Sequence, residues 1–188
     1  MISDYSELSK EISYALRHAP QEYGLTLDEQ GWAPVEDLIK ALKKRDKYSA
    51  LTVQDITVMI QTSDKKRHEL VGDRIRAFYG HSTEVKIKKD AIQPPDVLYH
   101  GTAHKFLQKI LQQGLIPKER QYVHLSQDTE TAITVGKRRD TDPVVLRIDA
   151  ITAWKDGIKF YHGNETIWLA DSIPVKYIQL YNCGNQGR

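Results

Sequence analysis

The chain has 188 residues, 40% of them hydrophobic and 28% charged, with a net charge of +2 and one cysteine. That composition suits an ordinary soluble protein with one or two modest cores, and a lone cysteine excludes an internal disulfide. Bulk charge does not argue for nucleic acid: through Asp96 there are 15 Lys and Arg against 16 Asp and Glu, and beyond it 12 against 9.

No stretch approaches the ~18 apolar residues of a spanning helix, and Met1 to Lys10 has neither a basic nor an apolar leader segment. We therefore expect a cytoplasmic monomer with no membrane partner. Cys183 sits in a polar tail and reads as an incidental thiol. Cations gather at Lys40 to Lys47, Lys65 to Arg76 and Lys86 to Lys89, of which the first and third read as solvated surface.

In chain order, Leu8, Ile12, Ala15 and Leu16 recur at helical spacing behind Asp4 and Glu7, which are placed like a capping box, and Pro20 stops the run. The first helix should end near Arg17 and His18. Pro34 opens a second helix with Val35, Leu38, Ile39 and Leu42 on one face, and Thr52 caps a third carrying Val53, Ile56 and Ile60. Gly72-Asp73 is a two-residue hairpin turn, so residues 67–71 should pair with 74–78. That register puts Leu70 opposite Ile75 on the core side and His68 with them. Arg67 and Arg76 share the other, exposed face, Arg76 opposite Glu69. Helices followed by a hairpin suggest a winged helix.

Pro94 and Pro95 mark the boundary to a second lobe. It reads as strand 97–100, helix 105–113 closed by Gly114, strand 122–125, helix 129–137, strand 144–148, a short helix, and strands 166–169 and 176–180. The whole is an α+β chain. It carries neither a dinucleotide-binding glycine fingerprint nor a P-loop.

Several short groups carry chemistry. His100-Gly101-Thr102 leaves an apolar strand with an imidazole, a glycine that permits close ligand approach, and a hydroxyl, although a capped turn would look the same. His124 and Ser126 point one way from their strand and Val123 and Leu125 the other. Arg17-His18 places two cations at a helix end, as a phosphate site or as simple C-terminal capping. Arg67, Gly80-His81-Ser82 and Arg120 add donors without obvious acidic neighbours, which suits an oxyanion. No cluster has zinc spacing, so we expect catalysis without a metal.

Together these segments resemble the RNA 2′-phosphotransferases, which act in tRNA splicing in fungi and also occur in bacteria. The likeness runs from Leu8 to about Leu180 through Leu16-Arg17-His18, Leu27 to Trp32, Ser63 to Arg67, Ile75-Arg76-Ala77, Gly80-His81-Ser82, Tyr99 to Thr102, Gly114-Leu115-Ile116, Arg120, Val123 to Ser126 and Pro143 to Leu146. Each is short, but their order and spacing are specific.

The resemblance implies a winged-helix lobe over residues 1–93 that holds the RNA phosphate. It also implies an ADP-ribosyltransferase-like, mixed α/β lobe over 97–182 that binds NAD⁺ as co-substrate, with the site between them. It implies that Arg17, His18, Arg67 and Arg120 surround the reacting phosphate, and that His100, Gly101, Thr102, His124, Ser126 and Ile167 belong to the NAD-binding elements. Arg76, His81 and Ser82 are carried over as RNA or phosphate contacts.

The implied reaction moves an internal 2′-phosphate from RNA to NAD⁺ through a 2′-phospho-ADP-ribosylated RNA. It releases nicotinamide, 2′-OH RNA and ADP-ribose 1″,2″-cyclic phosphate. Two other readings fit the residues: an ADP-ribosyltransferase that stops after the first step on nucleic-acid ends or protein, and a winged-helix nucleic-acid binder with a ligand-sensing second lobe.

Three positions depart from the family pattern. His68 stands where Phe is usual, Tyr79 where Gln is usual, and Arg139-Asp140-Thr141 replaces a His-Gly-containing turn. The glutamate of many protein-modifying relatives is missing at Ile167, with Glu165 two residues away. None of these replaces any of the four residues assigned to the phosphate.

Overall fold

The computed structural model describes residues 4–181, so Cys183 lies outside the described residues. The chain divides into two compact units, Met1–Lys89 and Asp90–Arg188, each combining helices with an antiparallel sheet. Among the described residues no helix is long and apolar enough to cross a membrane.

In the first unit, α1 (Tyr5–Arg17) starts where the Asp4 carboxylate accepts the Ser6 and Glu7 N–H groups, and it buries Leu8, Ile12, Ala15 and Leu16. His18 caps its end by donating its N–H to the Tyr14 carbonyl. A 3₁₀ turn, Pro20–Tyr23, leads to β1 (Trp32–Pro34). Next comes α2 (Val35–Leu42), whose four expected apolar residues are all buried.

The third helix, α3 (Val53–Thr62), has a full capping box between Thr52 and Asp55. Its buried stripe is Ile56 and Met59, with Ile60 packed against the core, while Val53 is 40% exposed. Val53 is the first residue of the helix.

The hairpin forms as expected. Strands β2 (His68–Val71) and β3 (Arg74–Ala77) pair Leu70 with Ile75 and Glu69 with Arg76, and Phe78 donates its N–H to the Arg67 carbonyl. The sequence reading omits β1, which pairs with β3 to give the order β1-β3-β2. A three-residue strand ending in proline carries little period-two signal. Its edge position tolerates the missing N–H of Pro34.

Among the described residues the second unit holds six strands and three α-helices: β4 (Val97–Thr102), α4 (His104–Gln113), β5 (Val123–Ser126), α5 (Thr129–Gly136), β6 (Val144–Asp149), α6 (Ala150–Lys155), β7 (Phe160–His162), β8 (Ile167–Ala170) and β9 (Ile178–Leu180). The strand order is β7-β8-β5-β4-β6-β9, every neighbouring pair antiparallel. Leu98, Val123, Leu125, Leu146, Ile148, Phe160 and Trp168 form its core.

Two expectations change here. Strand 176–180 is only β9, because Pro174 opens a 3₁₀ turn over Val175–Tyr177. Strand β7 is again too short to declare itself in sequence.

Candidate functional site

In the first unit the expected residues Arg17, His18, Arg67 and Ser82 meet at the end of α1. Arg17 is its last residue and His18 its cap, where the helix dipole favours positive charge. The Arg17 guanidinium donates to the Arg67 carbonyl at 3.3 Å and lies over the Tyr79 ring, 5.3 Å from its centroid. An amide oxygen and a π face help to hold the group in place. Tyr79, a departure from the family pattern, thus supports Arg17.

The segment after the hairpin closes over this helix end. Gly80 adopts φ of +92°, a left-handed conformation that side-chain-bearing residues rarely adopt, and the chain then turns back so that Ser82 donates its N–H to the Arg17 carbonyl at 2.9 Å. Ser82 Oγ lies 2.8 Å from His18 Nδ1.

Two buried histidines line the same region. His68 is 4% exposed, and its Nε2 lies 3.0 Å from Ser13 Oγ. Burial first, then the Arg17 and Arg67 guanidiniums, push its pKa down to about 3. His81 is 3% exposed, and burial followed by Arg17, Lys89 and His18 takes it down to about 3 as well. Both rings are uncharged at neutral pH, and both report a positive local field.

Arg76 pairs with a carboxylate. Its Nε and terminal nitrogen donate to Glu69 Oε2 at 2.8 and 2.7 Å, and its guanidinium stacks on the Trp32 ring at 4.4 Å. A carboxylate answers this charge. Burial and Arg76 also press the neighbouring Lys89 down to about 8, against the opposing pull of Glu69. Arg67 also lines a pocket of about 260 Å³ with Tyr5, Met59, Thr62 and Lys65.

In the second unit the expected residues lie on three adjacent strands: His100, Gly101 and Thr102 on β4, His124 and Ser126 on β5, and Ile167 on β8 opposite Ser126. Among the described residues β4 and β5 pair at one position, Tyr99 with Ser126. The half-buried His100 ring adds a link beyond it, its Nδ1–H donating to the His124 carbonyl at 2.9 Å. That donor fixes the tautomer and leaves Nε2 as an acceptor; burial and Lys118 lower the ring's pKa, so it is neutral. His124 Nδ1 in turn donates to the Tyr122 carbonyl at 3.0 Å. Thr102, Ser126 and Ile167 are buried.

Gly101 is required for a reason other than ligand approach. A Cβ there would lie 1.8 Å from the Ala132 carbonyl oxygen and 3.1 Å from the Gly136 nitrogen, because the backbone of α5 rests on β4. Asp140, another departure, accepts the His104 N–H at the start of α4 at 3.0 Å. Glu165 and Arg120 are exposed, the latter in the connection between α4 and β5. Arg17, His18 and Arg67 are thus gathered within the first unit, while Arg120 belongs to the second.

Comparison with known proteins is decisive on kinship. A family model described as RNA 2′-phosphotransferase, Tpt1 / KptA family, matches residues 3–172. The chain belongs to this family. It is 54% identical over 180 residues to a probable RNA 2′-phosphotransferase of Acetivibrio thermocellus, covering 96% of this chain and 99% of that one. It is 51% identical to one of Bacillus thuringiensis, covering 94% and 95%, and 46% identical to one of Agrobacterium fabrum, covering 92% of each. Membership places the chain among proteins named for a transferase activity on RNA.

Sequence reading missed the supporting partners of the family residues. Ser13 beneath His68, the carbonyl of Arg67 and the pocket beside it come from segments far apart in the chain. No local pattern announces such pairings.

Proposed function

We propose that the chain removes an internal 2′-phosphate from RNA with NAD⁺ as the acceptor. In this reading the first unit is a winged-helix phosphate-binding lobe, and the second an ADP-ribosyltransferase-like lobe for NAD⁺. The observation that carries the reading is the arrangement of Arg17, His18 and Arg67 at the C-terminal end of α1. There the Arg17 guanidinium donates to the Arg67 carbonyl and lies over the Tyr79 ring, which places a planar hydrogen-bond donor suited to a phosphate dianion beside His18.

For NAD⁺, the donor set fits a ribose better than a phosphate. A neutral His100 with its Nε2 lone pair can accept from a ribose hydroxyl, and His124 is held beside it. The proposal assigns NAD⁺ as substrate and assigns no metal.

The chemistry has two steps. The 2′-phosphate oxygen bonds to the ribose carbon carrying nicotinamide, and nicotinamide leaves with the electrons of its bond. The 2″-hydroxyl of that ribose then attacks phosphorus, closing the cyclic phosphate and releasing the RNA 2′-oxygen, which takes up a proton. Arg17, Arg67 and Arg120 orient the phosphate in the first step and stabilise spreading oxygen charge in the second. His18 moves a proton to or from an oxygen at the phosphate.

The test is one incubation of a 2′-phosphorylated oligoribonucleotide with NAD⁺, resolved by mass spectrometry. Nicotinamide, 2′-OH RNA and ADP-ribose 1″,2″-cyclic phosphate are expected. An ADP-ribosylated RNA that persists as the end product would instead identify an ADP-ribosyltransferase, and no nicotinamide release would leave only a binding role.

A further inference from the structure

Ser82 grips both members of the Arg17-His18 pair. Its N–H donates to the Arg17 carbonyl at 2.9 Å, and its Oγ lies 2.8 Å from His18 Nδ1, across 64 residues of sequence. The loop around it is built to hold that position. Tyr79 lies under the Arg17 guanidinium, Gly80 takes the left-handed turn, and His81 is buried next to Gly31, where a Cβ would come within 3.4 Å of its Nε2. An uncharged, buried His81 offers an anion little surface, so within Gly80-His81-Ser82 the first two residues serve the loop and the third reaches His18.

We propose that Ser82 is a positioning residue for His18, its Oγ accepting from Nδ1–H of the imidazolium. This contact fixes the ring plane and makes Nε2 the atom that addresses the phosphate. The inference rests on the reading that His18 meets the RNA phosphate. Around the imidazole stand the adjacent Arg17, the Tyr14 ring at 6.1 Å with its hydroxyl donating to Glu22, and the neutral His81. Among these the Ser82 contact is a direct hydrogen bond to the ring, and an oxygen acceptor on Nδ1–H favours the charged form.

The experiment uses the full chain with Ser82→Ala, Ser82→Cys and Ser82→Thr. Ser82 is exposed, so the variants should fold. The first readout is the His18 ring titration by NMR without RNA or NAD⁺. Ser82→Ala and Ser82→Cys should lower its midpoint by about half a pH unit, the scale of one lost hydrogen bond, and Ser82→Thr should restore it. The second readout is turnover of 2′-phosphorylated RNA. In Ser82→Ala, kcat should fall about tenfold for lost orientation while KM for RNA stays within about twofold, the pH–rate profile moving in the same direction as the midpoint.

An unchanged His18 midpoint in Ser82→Ala would overturn the proposal. So would a raised KM at normal kcat, which would make Ser82 a phosphate ligand in its own right. If the unaltered protein yields no product, the reaction reading fails, and the titration alone decides the positioning role.

Discussion

The two units use glycine beside a candidate site histidine for opposite ends. In the first, Gly80 lets a loop turn back onto Arg17 and His18, so a backbone conformation serves the site directly. In the second, Gly101 follows His100 but faces the backbone of α5, so its missing side chain serves packing. The lesson is that a glycine within a family motif can be there for a turn, for packing or for a ligand. Only the neighbouring atoms distinguish these.

The strongest test of this contrast is Gly101→Ala. The added Cβ meets main chain that cannot rotate away, so the second unit should lose about 3 kcal/mol or more, the upper range of overpacking. Urea unfolding followed by a probe in that unit measures it. A loss under about 1 kcal/mol would mean that α5 does not rest on β4 in this way.

On the first unit's side the comparable change is Arg67→Ala. Under the proposed reaction the phosphate needs only to be held in the first step, whereas the second places charge on oxygens around phosphorus. The second step should therefore slow more, by about 3 kcal/mol by analogy with a lost oxyanion donor. A single-turnover time course should show RNA-2′-phospho-ADP-ribose accumulating, with Arg67→Lys recovering only part of the rate. Complete inactivity with no intermediate, or an unchanged rate, contradicts that role.

His68 sharpens the contrast through pH. Its folded pKa of about 3 lies below the unfolded value of about 6.5, so between these the unfolded chain binds a proton that the folded chain refuses. Stability should fall as pH drops from about 6.5 toward about 3. His81 has the same depression and adds to the slope. His68→Phe, which installs the family's usual residue, should flatten the decline in denaturant midpoints across that window. An unchanged slope would show that His68 is not held neutral.

The smallest effect is expected at Arg76. Because Glu69 answers its charge, Arg76→Ala should weaken binding of 2′-phosphorylated RNA by less than about threefold, the scale of an exposed ion pair, and by less than Arg17→Ala does. Equal losses in a filter-binding titration would show that Arg76 also engages the phosphate.

Local chemistry made much of this legible. The Asp4 and Thr52 caps, the Pro34 start and the Gly72-Asp73 turn determine backbone over a few residues, so α1, α2, α3 and the hairpin register follow from the chain itself. The family residues were legible for a different reason, as an ordered set of short segments. What stayed hidden depends on distant parts of the chain. Strands β1 and β7 exist because longer neighbours complete them, and the strand order of the larger sheet is decided by packing. Likewise, which groups a cation meets depends on distant segments: Arg76 meets Glu69, while the Arg17 guanidinium meets the Arg67 carbonyl and the Tyr79 ring.

The pairing of β4 bears on how the larger sheet can breathe. It is joined to β6 over six positions but to β5 at one, with the His100 ring as a further link. We therefore expect the sheet to open as two three-stranded blocks, β7-β8-β5 and β4-β6-β9, with a narrow seam between them. Amide hydrogens along that seam should exchange faster than those shared by β4 and β6. The imidazole of His100 is then a mechanical fastener as well as a candidate ligand: releasing it would loosen the seam, and occupying its outer nitrogen would stiffen it.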